Sequence, residues 1–410
     1  MSINKPLSYI ASLDGVRGLF CLGILSHHIP VVYLRTHFAF FWFILPLFFV
    51  MSGFLITRIL LGQKSKGESF KSFFGNFYAK RSFRIFPLYF AYIFFWFGLV
   101  YIAGDKKGLS EGLGLTPEVR ENWWMLMTYT YNLKELVNFG LDKPVMYGCL
   151  LLEHLWSLSL EEQFYFIIPF MVFFLSQKNL KRAILFIIII MPFIRFFGMA
   201  YLKQTDYVQN IPDNARNIWL GVVVNRNTIF QLDALFTGAF MAVFNFESIK
   251  KAHYWFFGLC GLWFFVTFAN GFFIAHQEQT TLYTALHEID FLSKNNIYTY
   301  IFTLVNFMCL FFMLTLMRRD TWMNKVFENR LLVYLGKISY GIYVFHFSVF
   351  IFTFGLGVIF VRKLHLDANN LGVGLVIWLL CYLFTIGVSA FSYKYFEHYF
   401  IRLKDRIYNK

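Results

Sequence analysis

The chain is written in apolar runs. Segments dominated by Phe, Ile, Leu and Val, each long enough to cross about 30 Å of hydrocarbon as a helix, recur from end to end between shorter polar stretches. Hydropathy predicts about ten spans, at residues 16–34, 38–60, 84–103, 154–175, 182–201, 229–247, 253–272, 297–317, 333–355 and 372–393. The expected fold class is all-α, a polytopic integral membrane protein with about ten transmembrane helices. No polar stretch is large enough to fold by itself, so residues 1–410 read as a single transmembrane domain. The chain ends shortly after its last span, so no fused soluble domain is expected.

Composition agrees with this reading. Apolar residues make up 58% and charged residues only 15% of the 410, and the mean hydropathy is +0.55, values of the membrane class. The first run contains Arg17, His27 and His28 and is followed by no small-x-small cleavage site, so it reads as a retained helix. Of five cysteines only Cys149 falls in a long polar loop and no CxxC occurs, so neither a disulfide nor a metal site is supported.

A net charge of +14 raises the question of nucleic acid, but the basic residues alternate with the spans. Lys64 to Arg84, Lys178 to Arg182, Lys250 and Lys251, Arg318 to Lys337 and the tail to Lys410 fall on one side of the predicted bilayer. The opposite loops mix signs, so the topology reads N-in and C-in, with the lipid bilayer rather than nucleic acid as partner. Within the outer loop 104–153, Trp123-Trp124-Met125-Leu126-Met127 is too short for a span and suits either a loop or an interfacial helix.

Ionisable residues inside spans carry the chemistry, because each costs about 2.5–3.5 kcal/mol at a helix centre unless it lines a cavity or is paired. Arg17 and His28 are eleven residues apart and return to one helix face, with Asp14 nearby. Taken alone, they could be a positive-inside anchor and a packed histidine. His154, Ser157 and Glu161 share a face at i, i+3, i+7, with Glu162 beside them and no basic residue within a turn. Ser339, Tyr343 and His346 share a face of the ninth span, as packing or as site. Counting depth from the predicted boundaries places His28, Glu161 and His346 near mid-membrane. Arg81 and Arg84, at i, i+3, form two guanidinium forks suited to phosphate, or an ordinary basic cluster. Ser52-Gly53 lets a helix or ligand approach the backbone, and Arg195 with Asp233 reads as a mutual structural pair.

These motifs, in order and spacing, resemble the membrane acyltransferase-3 family, whose members O-acylate bacterial surface glycans and other hydroxylated acceptors. The resemblance rests on Ser12-Leu13-Asp14-Gly15-Val16-Arg17-Gly18 with His28, Phe48 to Phe54, Arg81-x-x-Arg84 with Pro87-Leu88-Tyr89, and His154 to Gln163. It extends to Leu232-Asp233-Ala234-Leu235 with Gly238, and to Leu335 through His346. Gln231 stands where Arg is frequent and Tyr399 where Pro is common.

The resemblance implies a cytosolic acyl-coenzyme A donor used as cosubstrate, no tightly bound cofactor, a glycan or lipid-linked sugar acceptor, and residence in a bacterial inner (plasma) membrane. Acyl transfer to a hydroxyl needs a base, and His28 is the candidate. Arg17 with Asp14 would orient the donor or His28, and Glu161 would polarise His28 or the acceptor. Arg81, Arg84, Ser52 and Tyr89 are candidate donor-binding residues. His154, Ser157, Glu162, Tyr343 and His346 are candidate acceptor or cavity-lining residues. Direct transfer and an acyl-enzyme both stay open. The rival reading is a transporter of an acylated lipid or sugar, with helices broken at Pro46, Pro87 or Pro192.

Overall fold

The computed structural model describes residues 9–28, 44–103, 117–141, 151–244, 249, 251–287, 296–318, 321–363 and 371–408. Among these residues there is no strand. The helices are α1 (Ala11–His27), α2 (Ile44–Ser65), α3 (Phe70–Ala103), α4 (Pro117–Met127), α5 (Lys134–Gly140), α6 (Trp156–Phe174), α7 (Gln177–Gln204) and α8 (Asp213–Arg226). They continue with α9 (Thr228–Val243), α10 (Ala252–Gln277), α11 (Tyr298–Met317), α12 (Trp322–Phe327), α13 (Arg330–Lys337), α14 (Ser339–Lys363), α15 (Leu371–Ser392) and α16 (His398–Tyr408).

Among the described residues, 8 helices are long and apolar enough to cross a membrane. The first and sixth expected spans fall short of that length, as α1 has 17 residues and α9 has 16. α1 also begins at Ala11 and is capped at His28, and residues 29–34 of the predicted span, like 38–43 of the second, lie outside the described residues. α9 spans only about 24 Å, and most of its side chains are buried against protein.

Basic residues expected in an inner loop are helical instead. α3 runs for 34 residues from Phe70 and carries Lys71, Lys80, Arg81 and Arg84 in its first half. Lys and Arg are good helix formers, so they end an apolar run without ending the helix. Lys64 completes the end of another helix, its Nζ donating to the Val172 and Leu175 carbonyls at 2.7 Å each. At the far end, α15 continues through a π-turn at Tyr393–Glu397 into α16. The Trp123 segment lies on α4, with both tryptophans exposed while Met125 and Leu126 are buried.

Two close backbone approaches bind the core. A methyl group on Gly53 would lie 1.9 Å from the Leu235 carbonyl oxygen, and one on Gly238 would lie 1.9 Å from that of Val50, so α2 and α9 touch backbone to backbone. α1 meets α13 in the same way, since a methyl group on Gly336 would lie 1.9 Å from the Asp14 carbonyl oxygen. The expected Arg195–Asp233 pair is present, with Nη1–Oδ1 at 3.0 Å and Nη2–Oδ2 at 2.8 Å, both side chains fully buried. Arg195 also donates to the Phe230 carbonyl, and Thr303 donates to Asp233, tying α7, α9 and α11 together. Most of α2 and α11 is buried, whereas α7, α10, α14 and α15 turn Phe186, Phe265, Phe360 and Phe384 outward, as hydrocarbon-facing helices do.

Candidate functional site

α1, α2, α3, α6 and α14 enclose a cavity of about 330 Å³. Its walls carry Arg17, Ser52, Arg81, Arg84, Ser157, Glu161, Tyr165 and Tyr343 among aliphatic and Phe side chains. Three guanidiniums face one lining carboxylate, and Asp14 stands behind, 3.0 Å from Arg17 Nη1 and accepting from the Tyr9 hydroxyl at 2.8 Å. Asp14 therefore orients Arg17 without itself lining the cavity. Arg84 is exposed, and Arg81 lies 5.8 Å from the Tyr165 ring centre. This excess of fork-shaped cations is chemically suited to a phosphorylated ligand.

Glu161 is held by a short relay. The Tyr165 hydroxyl donates to Glu161 Oε2 at 2.9 Å and receives the Ser52 hydroxyl at 2.5 Å. Tyr165 follows Glu161 by four residues on the same face, a signal that the sequence offered and the motif reading passed over.

On another side of the cavity, Tyr343 bonds to the Ser157 hydroxyl and donates to the His154 carbonyl at 2.5 Å. Behind it lie three histidines from three separate segments. His154 and His346 have ring centres 4.9 Å apart, His28 and His346 5.2 Å apart, and Phe347 packs against all three. His28 closes α1, His154 sits in the 3₁₀ turn before α6, and His346 lies two turns into α14.

The cavity thus unites Arg17, Ser52, Arg81, Arg84, Ser157, Glu161 and Tyr343. It does not include the other expected residues. Tyr89 is fully buried, donating to the Leu126 carbonyl at 2.9 Å and stacking on Tyr129, so it joins α3 to α4 rather than lining the donor cavity. Glu162 is turned away from the lining, and its Oε1 has no hydrogen-bond partner among the described residues. His154 and His346 lie behind Tyr343 rather than on the cavity wall. Of the two roles expected for Glu161, contact with His28 is not among the described contacts: Glu161 accepts from Tyr165, whereas the His28 ring packs on His27, His346 and Phe347. α1 ends at His27, short of the predicted end at residue 34, so His28 caps the helix instead of standing inside it.

Sequence reasoning also missed a polar network beside this cluster. Buried Lys134 lies 3.5 Å from Glu153, which also pairs with Arg226, and Arg226 in turn lies over the Trp156 ring. No periodicity links these residues, which come from α5, the turn before α6, and α8.

The model of an acyltransferase domain family matches residues 10–394. A Staphylococcus aureus (strain COL) protein named as a candidate O-acetyltransferase is 25% identical over 410 residues, covering 96% of this chain and 57% of that protein. O-acetyltransferase OatA of Staphylococcus aureus (strain NCTC 8325 / PS 47) is 22% identical over 400 residues, 95% of this chain and 57% of the relative. Peptidoglycan O-acetyltransferase OatA of Listeria monocytogenes serovar 1/2a is 29% identical over 203 residues, covering 48% of this chain and 30% of its own length. The chain therefore spans little more than half the length of the relatives it matches over nearly its whole extent. No solved structure matches.

Proposed function

We propose, from the premise that the chain belongs to the acyltransferase family whose model it matches, that it is a membrane O-acyltransferase. It takes an acyl group, acetyl by analogy with the relatives' names, from cytosolic acyl-coenzyme A. It passes that group to a hydroxyl of a cell-surface glycan or lipid-linked sugar. The proposed setting is a bacterial inner membrane, N-in and C-in, with the guanidinium-lined cavity reached from the cytosol.

The observation that carries this reading is the juxtaposition across Tyr343. One side holds a cavity with three guanidiniums, and the other holds His28 among further histidines. Arg81 and Arg84 hold the donor's phosphates, and Arg17, fixed by Asp14, orients its thioester arm. His28 takes the acceptor hydroxyl proton as that oxygen attacks the thioester carbon. The C–S bond breaks, and the departing thiolate recovers the proton from His28, leaving an ester and free coenzyme A. In this step the acyl group passes directly to the acceptor, and no radiolabelled acyl-enzyme should be trapped.

The test is reconstitution of the full chain in proteoliposomes with radiolabelled acetyl-coenzyme A. Free coenzyme A should be released only when acceptor is present, and His28→Ala should lower transfer by about 10²–10⁴-fold with the protein still in the membrane. Wild-type transfer by that variant overturns the assignment of the base. A transporter would instead move an acylated substrate unchanged. Its signature of interrupted helices is not met at Pro87 or Pro192, where α3 and α7 run on unbroken.

A further inference from the structure

Each histidine of the cluster spends one ring nitrogen on a backbone carbonyl. His28 Nδ1 lies 3.1 Å from the Ile24 oxygen, His346 Nδ1 lies 2.6 Å from that of Tyr343, and His154 Nε2 lies 3.1 Å from that of Val344. A carbonyl oxygen only accepts, so the nitrogen facing it carries the hydrogen. In the neutral ring the other nitrogen is then a bare lone pair: Nε2 of His28, Nε2 of His346 and Nδ1 of His154. His154 is 3% and His346 0% exposed, and the two free nitrogens on these rings have no hydrogen-bond partner among the described residues. A buried acceptor left without a donor is a standing cost to the fold, relieved when a donor arrives. His346 lies 4.9 Å from His154 and 5.2 Å from His28, and all three rings share the Phe347 wall, which makes an array that can only accept. No metal-binding group of three or more ligands is found among the described residues.

We propose that this array is the acceptor subsite and that it selects polyols. His154 Nδ1 and His346 Nε2 accept hydrogen bonds from two hydroxyls of one sugar while His28 Nε2 receives the proton of the hydroxyl that reacts. This rests on the acyltransferase reading. An alcohol with a single hydroxyl satisfies the base and leaves two buried lone pairs unmet. An ether oxygen in place of a hydroxyl brings a lone pair against a lone pair, so methylation at a contacting position is as damaging as its removal. His154 and His346 are positioning residues for the acceptor and touch no part of the donor.

The test uses the full chain in membranes of the expressing cells, with radiolabelled acetyl-coenzyme A as donor and the membranes' own glycan as acceptor. Glycerol, propane-1,2-diol and propan-1-ol are added as competitors. Glycerol should inhibit at the lowest concentration and propan-1-ol at the highest, with about a 10-fold or larger spread. His154→Leu and His346→Leu should each raise the apparent acceptor KM about 10-fold or more, leaving the donor KM within about twofold. His154→Asn and His346→Gln, which keep a lone pair near the original position, should recover much of that loss. A purely structural role moves donor and acceptor constants together and is not relieved by the amide variants. Equal inhibition by the three alcohols, or unchanged acceptor KM in both leucine variants, overturns the subsite. Absence of any transfer by the wild-type chain overturns instead the acyltransferase reading on which it stands.

Discussion

The Tyr343 hydroxyl donates to the His154 carbonyl oxygen at 2.5 Å, and this bond joins the wall of the guanidinium cavity to the turn that carries a cluster histidine. Tyr343 also bonds to Ser157, so the same phenol fixes α14 against α6 between the cavity and the histidine cluster.

Tyr343→Phe removes the donor to His154 and the partner of Ser157, a loss of about 1–3 kcal/mol in buried polar satisfaction. Acyl transfer should fall roughly 5- to 100-fold with the donor KM nearly unchanged. Steady-state kinetics with a parallel melting curve in detergent checks it. A lower Tm with full activity per folded molecule would make Tyr343 a strut alone.

Arg84→Ala should raise the donor KM by about tenfold or more, the worth of one charge-assisted contact. Arg84→Lys should recover only part, since an ammonium keeps the charge but not the planar fork. Comparing acetyl-coenzyme A with acetyl-pantetheine, which has no phosphate, gives the decisive contrast. The wild type should discriminate between them, and Arg84→Ala should discriminate less.

Arg195→Met and Asp233→Asn should each destabilise the fold, by about 3–5 kcal/mol where a buried charge is left uncompensated. Replacing both residues with apolar ones should recover much of the loss, which thermal unfolding in detergent measures. The pair bridges α7, α9 and α11 and lies outside the cavity lining. Loss of kcat without loss of stability would therefore contradict a structural role.

Gly238→Ala places a methyl 1.9 Å from the Val50 carbonyl, where two backbones rather than a pliable side chain meet. The α2–α9 contact must open, and little folded protein should reach the membrane. Gly258→Ala, with no atom within 4 Å of the added carbon, should accumulate normally. Quantifying both variants in solubilised membranes separates backbone packing from a general intolerance of substitution.

Much of the site could be read in one dimension. Glu161, Arg81, Arg84 and Arg17 stand out because a charge in an apolar run is costly unless it serves a cavity or a partner, and all four line the same cavity. Arg195 and Asp233 were matched by the same logic, and Gly53 by its small size at a helix crossing. Tyr89, adjacent to a motif, was misread because adjacency along a helix says nothing of which neighbour its hydroxyl meets, here the Leu126 carbonyl.

The sequence by itself determined the helical class, the membrane-length runs and the identity of most polar residues in the cavity, because length, apolarity and helical spacing are properties of single segments. Only the tertiary structure decided that His28 packs on His346 and Phe347, the rings that His154 also meets. That outcome depends on where α1 ends and on how three segments far apart in the chain come together, and no periodicity within one helix records either.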